Sequence, residues 1–428
     1  MQKNKVNIIG AGFSGLTVAY YLKKNGFDVC VYDKANTVGG LIQKKECSYG
    51  FFESAANGIM GQQHIIDFLK ELDIQFRPSS NLAKKRFIFR NKLKRWPLNF
   101  LESLHFLYKV IINFLVFKKH KTSAYSESVG EWAQKHLTSA SVKYLISPAL
   151  QGIYAGDINQ LSSFLILKPL FTQRSAQTKS RYPLVSGKES FYDILEQIYQ
   201  KLQLQGVQFE LNHQSTSEII QKSIQKKEFC VVCTSGKAAL EILQPFEKDL
   251  KSSVDFLKRL EFVSITTVTA FFKQKPQSSV VGFGALFPQI KTLHSQEIKA
   301  LGVLMNDVIF DRSRDIHSET WIYGGSYNQN SAQMTDTEVK YDILKARKMA
   351  FDSDEEMLDM QVTRWSNVLP HFTLEHESHL KQLQQNEYVI LHGNYLNVIG
   401  VSKIIVESRK IADSLKNKII DHVLTGEL

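Results

Sequence analysis

The chain opens with a regular alternation of apolar and polar segments. A short apolar run at 6–9 ends in a glycine-rich turn, and apolar residues then recur at helical spacing over 16–24. Asn25-Gly26 closes that segment, and a second apolar run covers 27–32, directly before Asp33. This order predicts a strand, a turn, a helix and a second strand, which together begin a βαβ unit.

The turn in this unit has the spacing G-x-G-x-x-G, with glycines at positions 10, 12 and 15. Gly10 would permit the tight turn, Gly12 would let a pyrophosphate approach the backbone, and Gly15 would let the helix pack on the sheet. The N-terminus of the helix offers free amides and a partial positive charge, which favour phosphates. Asp33 would accept hydrogen bonds from ribose hydroxyls. The unit therefore predicts dinucleotide binding, but the motif does not separate FAD from NAD.

Farther along, 86–93 alternates as a basic hairpin, while 101–117 is apolar on nearly every face and precedes Lys118-Lys119-His120-Lys121. The segment 101–117 is too short and too interrupted to span a bilayer comfortably. It can be a buried helix of a helical subdomain. It can equally be a helix that lays apolar side chains into a membrane interface. The pattern alone leaves both interpretations open.

Composition and charge add limits to this picture. A length of 428 residues predicts two or three domains, and the net charge of +11 suits an anionic partner. Cys230 and Cys233 have C-x-x-C spacing, but in a predicted strand they point to opposite faces, so we expect buried thiols and no metal site. The first strand begins at about residue 6, so we expect no leader segment and a cytoplasmic location.

Motifs farther along the chain indicate which class of dinucleotide-binding protein the sequence resembles. A double glycine at 39–40 follows the acidic residue, and GFFESAAN covers 50–57. The turn PALQGIYAGD covers 148–157, and HGNYLNVIGVS covers 392–402. In order and spacing these segments resemble the porphyrinogen oxidase family, within the amine-oxidase-like flavoproteins.

The resemblance implies an α/β with α+β fold and FAD as the cofactor. It implies a discontinuous Rossmann-type FAD-binding domain (1–80, 205–260 and 377–428). A mixed-sheet substrate domain (81–95, 181–204 and 261–376) and an all-helical, membrane-associating domain (96–180) complete the chain. The residues it assigns to FAD are Gly10, Gly12, Phe13, Ser14, Gly15, Asp33, Lys34, Gly39, Gly40, Leu41, Asn57, Gly58, Gly393, Asn394, Gly400, Val401 and Ser402.

The implied activity is FAD-dependent oxidation of protoporphyrinogen IX, with O₂ as acceptor. Coproporphyrinogen III is the alternative substrate, and an amine oxidase, a desaturase or a non-catalytic flavin-binding protein are more distant ones. Arg86 and Tyr154 are expected to contact the substrate, while no catalytic base is identified. We also expect peripheral contact with the inner face of the cytoplasmic membrane and no nucleic-acid partner, and we leave a homodimer open.

Overall fold

A computed structural model describes residues 5–117, 127–168, 180–277, 279–289, 298–312, 315–396 and 400–424. The side chains of 114–117, 180–181 and 422–424 fall outside the description. The lysines at 118–121 lie in one of the gaps, so their proposed place at lipid headgroups stays a prediction.

Seventeen strands belong to the described residues. They are β1 Lys5–Ile9, β2 Asp28–Tyr32, β3 Lys44–Cys47, β4 Gly50–Glu53, β5 Ile59–Gln62, β6 Arg77–Pro78, β7 Arg86–Arg90, β8 Lys92–Lys94, β9 Ser180–Ser186, β10 Gln208–Glu210, β11 Phe229–Val232, β12 Phe262–Phe272, β13 Gly284–Leu286, β14 Gly302–Met305, β15 His317–Gly324, β16 Met357–Pro370 and β17 Val389–Leu391.

The α-helices between these strands vary from single turns to 24 residues. They are α1 Phe13–Lys24, α2 Gln63–Glu71, α3 Phe100–Phe117, α4 Val129–His136, α5 Ser139–Ser141, α6 Ser147–Tyr154, α7 Ser163–Ile166, α8 Tyr192–Leu204, α9 Ser217–Lys226, α10 Gly236–Leu243, α11 Lys251–Lys258, α12 Asn306–Ile309, α13 Asp336–Phe351, α14 Leu374–Gln382 and α15 Val401–Leu424. One π-helical turn, Val142–Ile146, joins α5 to α6.

The first of two large sheets is parallel, with the strand order β10-β2-β1-β11-β17. Val6, Ile8 and Val31 on its strands are fully buried, as expected for a sheet covered on both faces. The helix α1 packs between this sheet and the C-terminal helix α15. We call this sheet with its helices the Rossmann unit; it joins the first βαβ segment to strands more than two hundred residues later.

The second large sheet is mixed, with the order β16-β12-β15-β14-β13-β7-β8. Its long strands β12 and β16 run antiparallel with two irregularities in register, and β7 pairs in parallel with β13. The hairpin β7–β8 forms one edge, which confirms the hairpin predicted over 86–93. The helix α12 with Phe310 after it, the helix α13 and the 3₁₀ helix Gln329–Gln333 pack on this sheet, and we call them together with the sheet the mixed-sheet unit.

A helical region, α3 to α7, lies beside the mixed sheet. The helix α4 begins with a capping box between Ser128 and Glu131, which satisfies its first amides. A separate apolar cluster that includes Val129, Leu150 and Leu161 holds α4, α6 and α7 together. Among the described residues, no helix has the length and apolar character needed to cross a membrane.

These elements confirm the predicted fold class. The domain boundaries stay predictions. For one helix, the observed packing differs from the predicted assignment. The helix α8 falls inside the range predicted for the substrate domain, yet its buried residues Ile194, Leu195 and Ile198 belong to the same core as α1. Packing thus places α8 with the Rossmann unit.

Candidate active site

The turn between β1 and α1 is built as its glycines suggest. Gly10 has φ +109° and donates its N–H to Tyr32 O at 2.7 Å, which ties the turn to β2. A Cβ atom on Gly15 would lie 1.8 Å from Gly10 O. Hence Gly10 turns the chain, and Gly15 lets the first turn of α1 lie against that turn.

Gly12 is different, because a Cβ there would have Gly40 Cα, at 3.8 Å, as its nearest neighbour. Gly12 is the N-cap of α1 and offers no side-chain hydrogen bond, so no N-cap side chain covers the amides of the first turn. It also forms a bridge to Gly39, whose N–H donates to Ala11 O at 2.9 Å. Two glycine loops therefore meet at the positive end of α1.

Asp33 lies at the end of β2, beside this loop. Its Oδ2 accepts a hydrogen bond from Ala11 N at 2.6 Å, and its Oδ1 accepts one from Ala35 N at 2.8 Å. A carboxylate oxygen has lone pairs for more than one donor, so both can still accept from a ribose. Lys34, directly after Asp33, and Leu41, directly after the glycine pair at 39–40, are exposed.

The C-terminal segment returns to the same place. Strand β17 lies next to β11, and Gly393 and Asn394 follow it. Gly400 has φ +93° and precedes α15, whose packing along α1 brings Val401 and Ser402 towards the opening loop. A buried chain of polar side chains fixes this arrangement, running from Thr17 Oγ1 through Ser408 Oγ (2.9 Å) to His392 Nε2 (2.8 Å).

The observed geometry fits a dinucleotide such as FAD. The fit rests on the open face of Gly12, the uncapped first turn of α1 and the acidic residue at the end of β2. Phe13 can contribute only its backbone, because its side chain is buried and its ring centroid lies 6.2 Å from that of Phe191. The roles of the other predicted FAD residues stay predictions.

Asn57 and Gly58 lie where the two units meet. Asn57 Nδ2 donates to Asn306 Oδ1 at 2.8 Å, and a Cβ on Gly58 would lie 2.7 Å from Phe310 Cζ. Both Asn306 and Phe310 belong to the mixed-sheet unit. The loop predicted to border the flavin is thus held by the unit predicted to hold the substrate.

The two predicted substrate residues lie on different elements. Arg86 is exposed at the start of β7, with its guanidinium 4.7 Å from the centroid of the Phe283 ring. Tyr154 ends α6, where its ring packs edge-on against Phe372 at 6.4 Å. Burial raises the pKa of the Tyr154 hydroxyl, which favours its neutral form.

A buried charge network in the mixed-sheet unit escaped the sequence analysis. His317 contacts Asp307 through Nδ1 (2.7 Å) and Glu319 through Nε2 (3.0 Å). Arg347 donates to Glu319, and its guanidinium lies 3.5 Å from the centroid of the Phe272 ring. The half-exposed Lys275 reaches Asp307 at 3.1 Å. The available signal was H-S-E at the start of β15, where alternate charged residues face inward.

These contacts favour the charged forms throughout the network. Burial opposes the charge of His317, yet hydrogen bonds to Asp307 and Glu319 raise its pKa to about 9. Burial likewise opposes ionisation of Asp307 and Glu319. The hydrogen bond to His317 nevertheless lowers the pKa of Asp307, and Arg347 together with His317 lowers that of Glu319. Nearby, burial raises the pKa of Glu53 to about 7, against the opposing effect of Arg312.

Comparison with known proteins agrees with this geometry. The family of NAD(P)-binding Rossmann-like domains matches residues 8–72. Protoporphyrinogen oxidase 2 of Arabidopsis thaliana is 23% identical, and the match covers 96% of this chain and 93% of that protein. The chain is thus similar to protoporphyrinogen oxidases over nearly its whole length. Coproporphyrinogen III oxidase of Staphylococcus aureus is 28% identical over 37% of this chain and 38% of its own length.

Solved structures show the same fold. An Exiguobacterium protein assigned as a protoporphyrinogen oxidase superimposes with a TM-score of 0.73 at 15% identity, covering 98% of this chain and all of that one. Cyclohexylamine oxidase of Brevibacterium oxydans superimposes with a TM-score of 0.67 at 14% identity, covering 97% and 99%. The resemblance stated from the sequence is confirmed, and the curated relatives that span the chain agree with the expectation of an FAD-dependent oxidoreductase.

Proposed function

We propose that this protein oxidises protoporphyrinogen IX to protoporphyrin IX with FAD, and that O₂ is the final acceptor. The match to protoporphyrinogen oxidases over 96% of the chain carries the proposal. When bound, FAD would supply the hydride acceptor for oxidation at the sp³ meso carbons of the macrocycle, with loss of a pyrrole N–H proton each time and six electrons removed in three rounds.

The chain's own contribution is binding and orientation. The glycine loops at the start of α1 would hold the pyrophosphate, and Asp33 would hold the ribose. The mixed-sheet unit would hold the macrocycle against the flavin and keep side reactions away. Aromatisation supplies much of the driving force, so the reaction does not demand a strong protein base.

Arg86 is proposed to meet a propionate of the substrate. A guanidinium offers a carboxylate two parallel donors. The neighbouring Arg90 is already committed to Glu102, with contacts of 2.6 and 3.0 Å. Among the described residues, Arg86 has no acidic partner within ion-pair distance, so its charge remains available to a ligand. Tyr154, at the end of α6, is proposed as a second contact.

Replacing Arg86 by Ala should raise the KM for the porphyrinogen by about tenfold, the effect of losing ~1.4 kcal/mol of binding. The kcat should change little, because a propionate contact is the same in the ground and transition states. The exposed Lys92 of the same hairpin provides the matched control, and Lys92→Ala should leave KM unchanged. An unchanged KM for Arg86→Ala would remove Arg86 from the substrate site.

Coproporphyrinogen III is a second candidate substrate, and the partial match to the Staphylococcus aureus enzyme supports it. Its four propionates would need more cationic partners than the two of protoporphyrinogen IX. Purified protein should be mixed with each porphyrinogen in air while porphyrin fluorescence is followed. Faster oxidation of coproporphyrinogen would reverse our choice, and oxidation of neither would refute the proposed activity.

We further propose that α3 contacts the surface of a membrane, at the inner face of the cytoplasmic membrane. Its described side chains include a row of exposed apolar residues: Phe100, Leu101, Leu104, Leu107, Tyr108 and Ile111. Exposed apolar rows of this size mark interaction sites rather than ordinary protein surface. The basic hairpin β7–β8 precedes the helix in sequence and would favour anionic lipid.

Flotation with vesicles that contain anionic lipid tests this proposal. The double substitution Leu104→Asp with Ile111→Asp should abolish co-flotation, because each carboxylate would have to leave water. The control is Leu204→Asp, at an 85% exposed residue that ends α8. Equal flotation of the α3 variant and the control would mean that α3 does not bind lipid.

A further inference from the structure

The loop 54–58 belongs to the Rossmann unit in sequence but is fastened to the mixed-sheet unit. Trp365 Nε1 donates to Ser54 O at 2.9 Å, and Thr267 Oγ1 donates to the same oxygen at 3.4 Å. Both donors belong to the long strands β12 and β16. The start of the loop is therefore fixed by side chains of the mixed sheet.

The far end of the loop is fixed through Asn57. Its Nδ2 donates to Asn306 Oδ1 at 2.8 Å, and Asn306 Nδ2 in turn donates to Thr320 Oγ1 at 2.9 Å. Both ends of the Asn306 amide are therefore engaged, and its Oδ1 also accepts from Thr320 Oγ1 at 3.2 Å. Asn57 Oδ1 is buried, and no described residue donates a hydrogen bond to it.

A small polar cavity lies beside these two asparagines. Its volume is about 10 Å³, and it is lined by Phe51, Phe52, Glu53, Asn57, Asn306, Asp307, Arg312 and Ser318. A cavity of roughly 10–15 Å³ holds one water when it offers two to four polar partners. The lining comes from both units, so a molecule bound there would connect them.

The charges around the cavity suit a water. Asp307 Oδ1 accepts from His317 Nδ1 at 2.7 Å and from Ser318 N at 3.2 Å, and these bonds help to keep the carboxyl ionised. A water could therefore donate to Asp307 and to Asn57 Oδ1 while it accepts from the guanidinium of Arg312. The otherwise unsatisfied oxygen of Asn57 would then have its donor.

We propose that Asn306, together with one water in this cavity, positions Asn57 in the flavin-facing loop. Asn306 is thus a positioning residue that the mixed-sheet unit supplies to the FAD site of the Rossmann unit. The inference rests on the proposed function, because it takes the loop 54–58 to border the bound FAD. Its consequence is that cofactor affinity depends on a residue of the substrate-holding unit.

A double-mutant cycle on FAD affinity tests the coupling. Asn57→Ala should weaken FAD binding about tenfold, and Asn306→Ala about fivefold. The double variant should bind FAD no more weakly than Asn57→Ala alone, because Asn306 acts through Asn57. Asn306→Asp keeps the acceptor for Asn57 Nδ2 and should retain most of the affinity. Asn330→Ala, at an exposed residue of the same unit, is the control.

The melting temperature of the FAD-free protein separates positioning from general stability. If Asn306 acts by positioning Asn57, Asn306→Ala should weaken FAD binding more than its effect on the melting temperature of the FAD-free protein can explain. Additive effects in the cycle, or a melting shift that accounts for the lost affinity, would overturn the proposal while leaving the proposed function intact. Wild-type protein that binds no FAD would overturn both.

A crystal structure tests the water directly. Density for one water within hydrogen-bond distance of Asn57 Oδ1 and Asp307 would support the proposal. A dry cavity, or an Asn57 side chain turned away from Asn306, would refute it. This readout does not require activity or bound FAD.

Discussion

The Rossmann unit and the mixed-sheet unit are built on different physical principles. In the Rossmann unit, backbone amides and glycines form the proposed cofactor site, and its core includes the fully buried Val6, Ile8 and Leu16. In the mixed-sheet unit, ionised side chains lie in the core, with Glu319 and Arg347 fully buried beside Trp321. The proposed site of the first unit thus consists of backbone groups, whereas the core of the second contains charges that must be paired.

This difference determines how each unit responds to mutation. A glycine at a tight contact has no substitute, because any Cβ collides with backbone. A buried charge can be removed without a clash, but its partner then stays buried without a counter-charge, and this lowers stability. Steric substitutions should therefore damage the first unit, and charge-removing substitutions the second.

In the Rossmann unit, the largest effect on stability is expected from Gly15→Ala. The new Cβ would lie 1.8 Å from Gly10 O, so the turn must open, and we expect a loss of about 3 kcal/mol in unfolding free energy. Gly12→Ala should cost under about 0.5 kcal/mol, because its φ of −74° and its 3.8 Å clearance accept a methyl group. It should nonetheless weaken FAD binding by tenfold or more, about 1.4 kcal/mol.

Urea unfolding of the FAD-free variants and fluorescence titration with FAD measure these two effects. If Gly12→Ala binds FAD like the wild type, the open face of Gly12 does not serve the cofactor, and the contrast drawn between the two units is wrong. The contrast is also wrong if Gly15→Ala unfolds at the wild-type urea concentration.

In the mixed-sheet unit, Arg347→Met should lower the unfolding free energy by about 3–5 kcal/mol, because Glu319 is left buried beside an apolar side chain. Lys348→Met is the matched control on the same helix. Its partners Asp352 and Asp354 are exposed, so we expect its urea midpoint to stay close to that of the wild type. Similar urea midpoints for the two variants would show that the network adds no stability.

A smaller effect should appear in the pH dependence of stability. Because His317 has its pKa raised from 6.5 to about 9, its contribution is complete below pH 6.5 and is lost as the pH rises through 9. The contribution is at most about 3 kcal/mol. His317→Gln should remove this decline between pH 6.5 and 9 in urea unfolding followed at each pH. If the unfolding free energy of the variant declines over this range as in the wild type, groups other than His317 cause the decline.

The sequence predicted the Rossmann unit more fully than the rest. Strand, turn, helix and acid are local features with fixed spacing, and Gly10, Gly15 and Asp33 lie where that spacing implies. The predicted hairpin at 86–94 is present for the same reason. The role of α8 was harder to predict, since its amphipathic pattern shows that it packs but not on which sheet.

The polar core could not be predicted in the same way. Asp307, His317, Glu319 and Arg347 come from three elements, and only tertiary packing brings them together. The H-S-E spacing at the start of β15 was the local signal, but single charged residues in a chain usually face solvent, and the spacing did not show which residues would pair with them. Likewise, the contact of Asn57 with Asn306 joins residues 249 positions apart.

The most direct test of the account is anaerobic mixing of the purified, FAD-loaded protein with protoporphyrinogen IX. We predict a yellow protein whose flavin absorbance bleaches as porphyrin fluorescence appears, with colour returning when air is admitted. A protein that binds no FAD would contradict the role of the glycine loops. A yellow protein whose absorbance stays unchanged with protoporphyrinogen IX would contradict the proposed substrate.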